Sequence, residues 1–306
     1  MKTVVIFGGS GFVGRHIIRR IAKNGHKIII PHQSKVNEAG LRLLGTTGQV
    51  IPINFNHLYE NRLSNLIDNS DVIINLKTLW DQKRISFEKG IFYFNENLVN
   101  LIKKTKKNIQ FIYFSGIGID EKNDSERSKA ILQSEKYIQK NLINSIIVRP
   151  GVIIGGGDQF LKGLTSLFKM SFIVPLFGNG LSKFQPVFID DVSMAINNLI
   201  ESALLNQHIY EIVGSDIFTY KEFYNYLALC MNKTRIFVPV PFQLAKIVVS
   251  IMEKISFFPL NSEKLKLFER DNISSNNHKK LEDLEVFPQD LKEIIKKIIK
   301  KTSNFS

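Results

Sequence analysis

Short apolar runs alternate with segments of helical periodicity through the first two thirds of the chain. The runs typical of buried strands are residues 3–7, 27–30, 50–53, 71–76, 109–114 and 145–148. Between them, the clearest helical patterns are residues 12–24, 91–106 and 126–141. This alternation predicts an α/β fold, in which helices cover both faces of a doubly wound parallel sheet.

The pattern changes at about residue 215, where strand-like runs give way to mainly helical segments punctuated by prolines. We therefore expect two domains, a larger one over residues 1–214 and a smaller, mainly helical lobe over residues 215–306. The length of 306 residues is ample for both.

Composition excludes several classes of protein. Hydrophobic residues make up 44% and charged residues 23% of the chain, as in ordinary globular proteins. A single cysteine, Cys230, allows neither an internal disulfide nor a Cys-rich metal site. The 6 histidines are scattered, with no pair spaced three or four apart on one helix, so no metal site is expected.

The chain is basic, with 41 Lys and Arg against 28 Asp and Glu, which gives a formal net charge of +13. No basic cluster interleaved with aromatic residues is present, so we expect no nucleic-acid partner and interpret the excess as solvated lysines. An anionic nucleotide or an acidic membrane surface is compatible with this charge.

No segment is long and apolar enough to predict a membrane span. The most apolar stretch, residues 242–260, is broken by Lys246, Glu253 and Lys254. The apolar run at residues 3–7 is too short for a signal peptide. These patterns predict a cytoplasmic protein, with a peripheral position on the cytoplasmic face of the inner membrane as the alternative.

A glycine-rich turn follows the first predicted strand directly and opens the first predicted helix. Gly8, Gly11 and Gly14 have the spacing G-x-x-G-x-x-G. The first glycine permits the tight turn, the second lets a pyrophosphate approach the backbone, and the third lets helix and strand pack closely. The helix N-terminus then faces the phosphates. This arrangement predicts a Rossmann-type domain that binds a nicotinamide dinucleotide; the alternative is a glycine turn that only packs.

The end of the second predicted strand is where the adenosine ribose is read. It carries His32, Gln33, Ser34 and Lys35, and no carboxylate precedes Glu38. The usual partner of a free 2′-hydroxyl is therefore missing, whereas these side chains can donate to a 2′-phosphate. We accordingly expect NADP(H) in preference to NAD(H). The alternative for Lys35 is an ordinary solvated lysine.

Several motifs together resemble a known family. The glycine spacing is similar to that of extended or atypical short-chain dehydrogenase/reductase proteins. Later motifs narrow the resemblance to the nucleotide-binding accessory subunits of respiratory complex I and their bacterial relatives, and it extends over nearly the whole chain. These motifs are Asn75-Leu76, Arg149-Pro150-Gly151, and the stretches at residues 185–192, 238–242 and 269–272.

The resemblance implies a set of cofactor-binding residues. The pyrophosphate would lie on the turn formed by Gly8, Ser10, Gly11, Phe12, Val13 and Gly14. Asn56 occupies the position of an acidic residue that the family places near the adenine. Leu76, Lys77 and Ser115 would line the cleft, and Pro150 and Val152 would approach the nicotinamide. A purely structural turn is the alternative for Asn75, Arg149 and Pro150.

The catalytic pair of this superfamily is incomplete. Its reductases resemble one another in a Tyr-x-x-x-Lys pair, because a tyrosine of pKa near 10 needs an adjacent lysine to exchange a proton near neutral pH. Here Lys129 is present, but Ser125 stands at the tyrosine position. We therefore expect no ordinary dehydrogenase activity and assign no catalytic residue. Lys129 is a candidate ligand of the nicotinamide ribose or else an exposed helix lysine, and Asp190-Asp191 is typical of a helix N-terminus.

The C-terminus predicts a basic amphipathic helix, with lysines on the faces beside its apolar stripe. Such a helix can lie on a membrane or dock on an acidic partner, and Phe257, Phe258 and Leu260 extend the apolar surface. The alternative is that it closes the core of the smaller lobe. The stripe consists of Leu291, Ile294, Ile295, Ile298 and Ile299.

The resemblance implies an accessory or assembly factor of NADH:ubiquinone oxidoreductase, or of a quinone-biosynthesis complex, that holds NADP(H) structurally. Two alternatives stay open at this point. One is an active oxidoreductase or isomerase that acts on a quinone precursor or a lipid-like molecule. The other is a binding protein that has lost the nucleotide.

Overall fold

The computed structural model describes residues 1–33, 35–202, 207–252, 261–275 and 277–303. The strands are Thr3–Phe7 (β1), Lys27–His32 (β2), Val50–Asn54 (β3), Val72–Asn75 (β4), Gln110–Phe114 (β5), Ser145–Pro150 (β6), Ile153–Ile154 (β7), Ile173–Phe177 (β8), Lys183–Phe184 (β9), Val187–Phe188 (β10), His208–Ile212 (β11), Phe218–Thr219 (β12) and Ile236–Val240 (β13). The helices are Phe12–Lys23 (α1), Glu38–Arg42 (α2), Asn61–Asp68 (α3), Tyr93–Lys104 (α4), Glu126–Asn141 (α5), Gln159–Met170 (α6), Ile189–Glu201 (α7), Tyr220–Cys230 (α8), Phe242–Met252 (α9), Ser262–Lys266 (α10) and Leu291–Ser303 (α11).

The chain divides into two compact units that alternate along the sequence. The first unit comprises residues 1–150, 189–212 and 277–287, and the second comprises the remainder. This division differs from a single boundary after residue 214. Residues 151–188 supply β7, β8 and β9, which pair with strands of the second unit, whereas β11 pairs with β6 in the first.

A seven-stranded parallel sheet forms the first unit, in the order β11-β6-β5-β4-β1-β2-β3. The predicted α/β fold with a doubly wound parallel sheet is confirmed. The strand order reverses between β1 and β4, which is the place where ligands bind in open α/β sheets. The edge strand β11 was not among the predicted runs, and it pairs with β6 from His208↔Ile146 to Ile212↔Pro150.

The core of the first unit explains why these segments form strands and helices. Val4, Val5 and Ile6 of β1 are fully buried, as expected for a central parallel strand covered on both faces. On α1, Ile17, Ile18 and Ile21 are also fully buried and form the apolar stripe. Burying each such side chain contributes roughly 1.5–3 kcal/mol.

The second unit contains three two-stranded pairings, β7 with β10, β9 with β12 and β8 with β13. Its core is rich in aromatic residues, among which Phe168, Phe184 and Phe223 are fully buried. Helices α6, α8 and α11 contribute to this core.

The C-terminal helix α11 corrects one prediction. Leu291, Ile295 and Ile299 are 2%, 0% and 6% exposed, and they belong to the core of the second unit. Its apolar stripe therefore faces the protein, and the predicted membrane contact through this stripe is wrong. Phe257, Phe258 and Leu260 lie outside the described residues. Of the helices that the structure describes, none has the length and apolar character needed to span a bilayer.

Candidate functional site

The glycine-rich turn joins β1 to α1, and two of its glycines are required by the protein itself. Gly8 has φ +77°, and a Cβ there would lie 3.0 Å from the backbone of Leu76 and of Lys77. A Cβ on Gly14 would lie 2.5 Å from the Cα of Gly9. The tight turn and the close packing of helix against turn thus account for these two positions.

Gly11 has no comparable packing reason to be glycine. Among the described residues, a Cβ at this position would meet only the carbonyl oxygen of Gly8, at an ordinary 3.4 Å. Gly11 is the exposed N-cap of α1, and no side chain caps the helix there. The turn therefore offers an open backbone surface and the N–H groups of a helix N-terminus, which together suit an anion.

The other residues of the turn are half-buried. The Ser10 carbonyl accepts a hydrogen bond of 3.0 Å from the Arg15 Nε, which fixes the turn against α1. The Phe12 ring contacts the His16 ring edge-on at 5.3 Å. Val13 precedes the buried Gly14 on the first turn of the helix. All six predicted residues of the turn therefore lie together at the carboxyl end of β1.

At the end of β2, the structure separates the predicted residues. His32 is 7% exposed, and its Nε2 lies 3.1 Å from Oε1 of Glu38. The other carboxylate oxygen of Glu38 accepts a hydrogen bond from Arg42 at 2.8 Å. His32 is thus buried against Glu38, whereas Gln33 and Lys35 are exposed. Ser34 lies outside the described residues.

Gln33, Asn56 and Lys77 form one network across the ends of three strands. The Lys77 Nζ donates to Oε1 of Gln33 at 3.0 Å, and the Gln33 Nε2 donates to the carbonyl of Asn56 at 2.9 Å. The Lys77 Nζ also lies 3.9 Å above the ring of Phe94. Burial lowers the pKa of Lys77. The carboxyl end of the sheet therefore carries a partly desolvated cation, the Lys77 ammonium. It forms no ion pair within the described part of the chain.

The turn after β4 is held by a buried asparagine. Asn75 is 0% exposed; its Nδ2 donates to Oδ1 of Asn95 at 2.7 Å, and its Oδ1 accepts from the Lys77 N–H at 3.0 Å. The Leu76 N–H donates to the carbonyl of Phe7 at 2.9 Å. Gly8 packs directly on this turn, so the hydrogen bonds of Asn75 help to fix the glycine-rich turn. This agrees with a structural role for Asn75.

Ser115, immediately after β5, carries an unsatisfied hydroxyl. Its N–H donates to the carbonyl of Val148 at 2.8 Å, but its Oγ is buried and finds no hydrogen-bond partner among the described residues. A buried hydroxyl left unpaired costs about 1–3 kcal/mol. A polar ligand at the sheet edge would satisfy this group. The neighbouring Gly116 is open as well, since an added Cβ would meet none of the described atoms within 4 Å.

At the end of β6, the polar groups of Arg149 and Pro150 bind other parts of the protein. The Pro150 carbonyl accepts from the N–H of Ile117 at 3.1 Å, which ties the chain after β5 to the end of β6. Arg149 forms a bidentate pair with Glu135, at 3.0 and 2.5 Å, and Glu135 is 2% exposed. Val152 belongs to the second unit, where its carbonyl accepts from Val187 at 2.9 Å.

The residues at the incomplete catalytic pair serve other purposes. Ser125 is the N-cap of α5, and its Oγ accepts from the Ser128 N–H at 3.1 Å. Lys129 is exposed on the same helix. Asp190 and Asp191 lie in the first turn of α7, where the helix dipole favours acidic side chains.

The contact of Arg127 with the loop after β4 was not predicted from the sequence. The Arg127 guanidinium lies 3.8 Å above the Trp80 ring, and its Nε donates to the carbonyl of Leu79 at 2.8 Å. Arg127 thereby fastens the loop that follows β4. The pairing joins residues almost fifty positions apart, which no local pattern indicates.

Comparisons with known proteins identify relatives of this chain. Residues 4–130 match the model of the NAD dependent epimerase/dehydratase family. A mitochondrial relative from Arabidopsis thaliana, NADH dehydrogenase [ubiquinone] 1 alpha subcomplex subunit 9, is 28% identical over 94% of this chain and 74% of its own length. The NADH-ubiquinone oxidoreductase 40 kDa subunit of Neurospora crassa is 25% identical over 94% of this chain and 76% of its own. The predicted resemblance is therefore confirmed.

Solved structures share the fold. The dTDP-glucose 4,6-dehydratase of Bacillus anthracis, in complex with NAD, has a TM-score of 0.74 at 14% identity and covers 99% of this chain and 97% of its own. MoeE5, in complex with UDP-glucose and NAD, has a TM-score of 0.74 at 12% identity and covers 99% of each chain. At these identities the likeness concerns the fold alone.

Proposed function

We propose that this protein binds a nicotinamide dinucleotide at the carboxyl edge of the first unit and acts as an accessory subunit of a respiratory NADH:ubiquinone oxidoreductase. The observation that carries the proposal is Gly11, a glycine that packing does not require, placed at the N-cap of α1 in the glycine-rich turn. The orphaned Oγ of Ser115, the residue after β5, supports it, because the carboxyl end of the sheet then has a polar group that needs a ligand.

The chain has candidate binding residues for each part of a nicotinamide dinucleotide. The glycine-rich turn would hold the pyrophosphate, the Gln33–Asn56–Lys77 network would border the adenosine half, and Ser115 would face the nicotinamide half. Lys77 supplies positive charge for the phosphates. A bound nicotinamide dinucleotide supplies a hydride donor or acceptor; every role assigned here to the chain's own residues is binding and orientation.

We further propose that NADP(H) is bound in preference to NAD(H). A free carboxylate at the end of β2 would accept the ribose hydroxyls of NAD and repel a 2′-phosphate. Here the first carboxylate after the end of β2, that of Glu38, is shared between His32 and Arg42. Gln33 and Lys35 are exposed donors at this place. Tighter binding of NADH than of NADPH would contradict this part of the proposal.

The nucleotide is held and not turned over in this proposal. A serine cannot replace the tyrosine as a proton donor, and Ser125 is engaged in capping α5. Lys129 on its own can orient a ribose, but the tyrosine that would exchange the proton is absent. With small ketones, aldehydes or short-chain quinones, purified protein should not consume NADPH at ordinary enzymatic rates of about 1 per second or above.

The partner is proposed from the relatives, whose names place them in mitochondrial NADH dehydrogenase. Native gels of membranes solubilised in mild detergent test this directly. We expect the protein to migrate with NADH dehydrogenase activity. Migration at its own mass of 35.0 kDa, at low salt, would overturn the partner.

Titration calorimetry on nucleotide-free protein tests binding. Gly11→Asp places a carboxylate against the pyrophosphate and should abolish binding of both NADPH and NADH. Gly163→Asp is the matched control: Gly163 is exposed on α6 of the second unit, and a Cβ there meets none of the described atoms within 4 Å. The control should bind like the parent. Absence of binding by the parent at millimolar nucleotide, or equal binding by the Gly11 variant, would refute the proposal.

A further inference from the structure

An apolar stripe on helix α9 faces solvent. Leu244, Ile247, Val248 and Ile251 are between 51% and 59% exposed, and their spacing places them on one side of the helix. The opposite side is apolar as well, since Ala245 and Val249 are 2% exposed and pack in a small cluster of the second unit. Helix α9 is thus apolar on two sides. One side packs in the protein, and the other has no neighbour among the described residues.

The β8–β13 ribbon, which leads into α9, exposes apolar residues too. Ile173 and Ile236 are cross-strand partners at 57% and 51% exposure, and Val238 is 40% exposed. Val174, on the other side of the ribbon, is fully buried. Because α9 packs on Phe177 and Val240 at the ends of these two strands, ribbon and helix are neighbours. We name the exposed side chains of the ribbon and the α9 stripe together the apolar face.

The two chain segments that carry the apolar face contain no acidic residue. Residues 159–188 and 223–252, which contain α6, β8, most of α8, β13 and α9, include no Asp or Glu. They contain six cationic residues, of which Lys246 pairs with Glu269 from outside these segments at 2.8 Å. The six are Lys162, Lys169, Lys183, Lys233, Arg235 and Lys246. This local charge is complementary to an anionic surface.

We propose that the apolar face docks the protein on an anionic lipid bilayer. Basic residues attract anionic headgroups, and apolar side chains of an interfacial helix enter the boundary between headgroups and acyl chains. The composition favours a bilayer over an acidic protein, because the exposed positions of the ribbon and α9 are aliphatic. Protein interfaces instead concentrate Tyr, Trp and Arg at their centres. The inference goes beyond nucleotide binding and does not depend on it.

Vesicle sedimentation tests the proposal on the full chain. We expect binding to vesicles of equimolar phosphatidylcholine and phosphatidylglycerol, much weaker binding to phosphatidylcholine alone, and a steep loss with added salt. Ile236→Glu and Ile247→Glu should each lower the affinity at least about tenfold, because an exposed aliphatic side chain that would enter the bilayer is replaced by a charge. Lys233→Gln should lower it about fivefold, the loss expected for one lysine near an anionic surface.

Matched controls on the first unit separate this effect from general surface changes. Ile143→Glu changes an aliphatic residue that is 80% exposed, and Lys140→Gln changes an exposed lysine. Both should bind vesicles like the parent. All variants should keep their near-ultraviolet circular dichroism and nucleotide affinity, so a failure here is distinct from failure of the nucleotide site.

Three results would overturn the inference. The first is no binding to anionic vesicles at low salt. The second is undiminished vesicle binding by the Ile236 and Ile247 variants. The third is a dimer in analytical ultracentrifugation that Ile247→Glu dissociates, since a second copy of the chain would then be what covers the apolar face.

Discussion

The orphaned hydroxyl of Ser115 predicts opposite effects on stability and on binding. Ser115→Ala removes a buried polar group that has no partner among the described residues and leaves the N–H bond to Val148 intact. An unpaired buried hydroxyl costs about 1–3 kcal/mol, so the free energy of unfolding of nucleotide-free protein should rise by up to that amount. If the hydroxyl binds nucleotide, losing one hydrogen bond of about 0.5–1.5 kcal/mol should weaken the affinity roughly two- to twelvefold.

Ser145→Ala is the matched control, because Ser145 is also buried but its Oγ donates to the carbonyl of Leu142 at 2.8 Å. This variant should lose about 0.5–1.5 kcal/mol of stability and keep its nucleotide affinity. Urea unfolding and titration calorimetry measure the two quantities. If Ser115→Ala destabilises the protein as Ser145→Ala does, or binds NADPH like the parent, Ser115 is not a ligand of the nucleotide.

Three further predictions concern charged groups in the first unit. Glu135→Gln should lower the free energy of unfolding by about 3–5 kcal/mol in urea titrations, because Arg149 would keep a buried charge without its carboxylate; an unchanged midpoint would contradict this. Burial lowers the pKa of Lys77, so nucleotide affinity should fall as the pH rises through that lowered pKa, and Lys77→Met should remove this pH dependence in calorimetry. Burial acts to raise the pKa of Asp71, but hydrogen bonds from Lys107 and the Thr3 N–H hold it below its usual value. Its stabilising effect is therefore present above the pKa of the unfolded chain and is lost as the pH falls through the lower folded pKa; unfolding of Asp71→Asn should depend less on acid than unfolding of the parent.

Most strands of the first unit were predictable because each is a short apolar run that can be recognised from the neighbouring residues alone. The strands of this sheet are short apolar runs bounded by polar or glycine residues, and β1, β3 and β5 begin or end within one residue of the predicted runs. Helix α1 showed its buried stripe directly. The edge strand β11 escaped prediction because the run His208–Ile212 includes Glu211, which is 3% exposed through its tertiary environment and not through its own hydropathy.

Periodicity did not predict whether an apolar helix surface packs in the core or faces solvent. The stripe of α11 has the pattern expected both of a membrane-surface helix and of a core helix, and only the packing of Leu291 and Ile295 decides for the core. Conversely, α9 exposes apolar residues that the sequence pattern does not distinguish from its buried ones. The division into compact units differs from the predicted boundary for a related reason, since reading in chain order cannot show that residues 151–188 pack with later segments.

Within the candidate site, positions were predictable and pairings were not. The glycine spacing identified Gly8, Gly11 and Gly14, yet the different reasons for each emerge only from what a Cβ would meet. Glu38 is six residues beyond His32, and it reaches that side chain because α2 begins at Glu38, where Asn37 caps the helix by accepting from the Gly40 N–H. Side-chain pairs of this kind depend on turns whose geometry a linear pattern does not contain.

In the proposed function, a nucleotide held without turnover would stabilise the folded protein. A ligand that binds only the folded protein stabilises it by about 2.7 kcal/mol at a hundredfold excess over its Kd. In the first unit this ligand would bridge the glycine-rich turn and the end of β5, and it would satisfy the Ser115 hydroxyl that otherwise costs stability. Ser125 stands where the related reductases have their tyrosine, and its side chain stabilises α5 as the N-cap. Folding of the first unit would then follow the supply of nucleotide, so unfolding midpoints should rise with NADPH in the parent and not in Gly11→Asp.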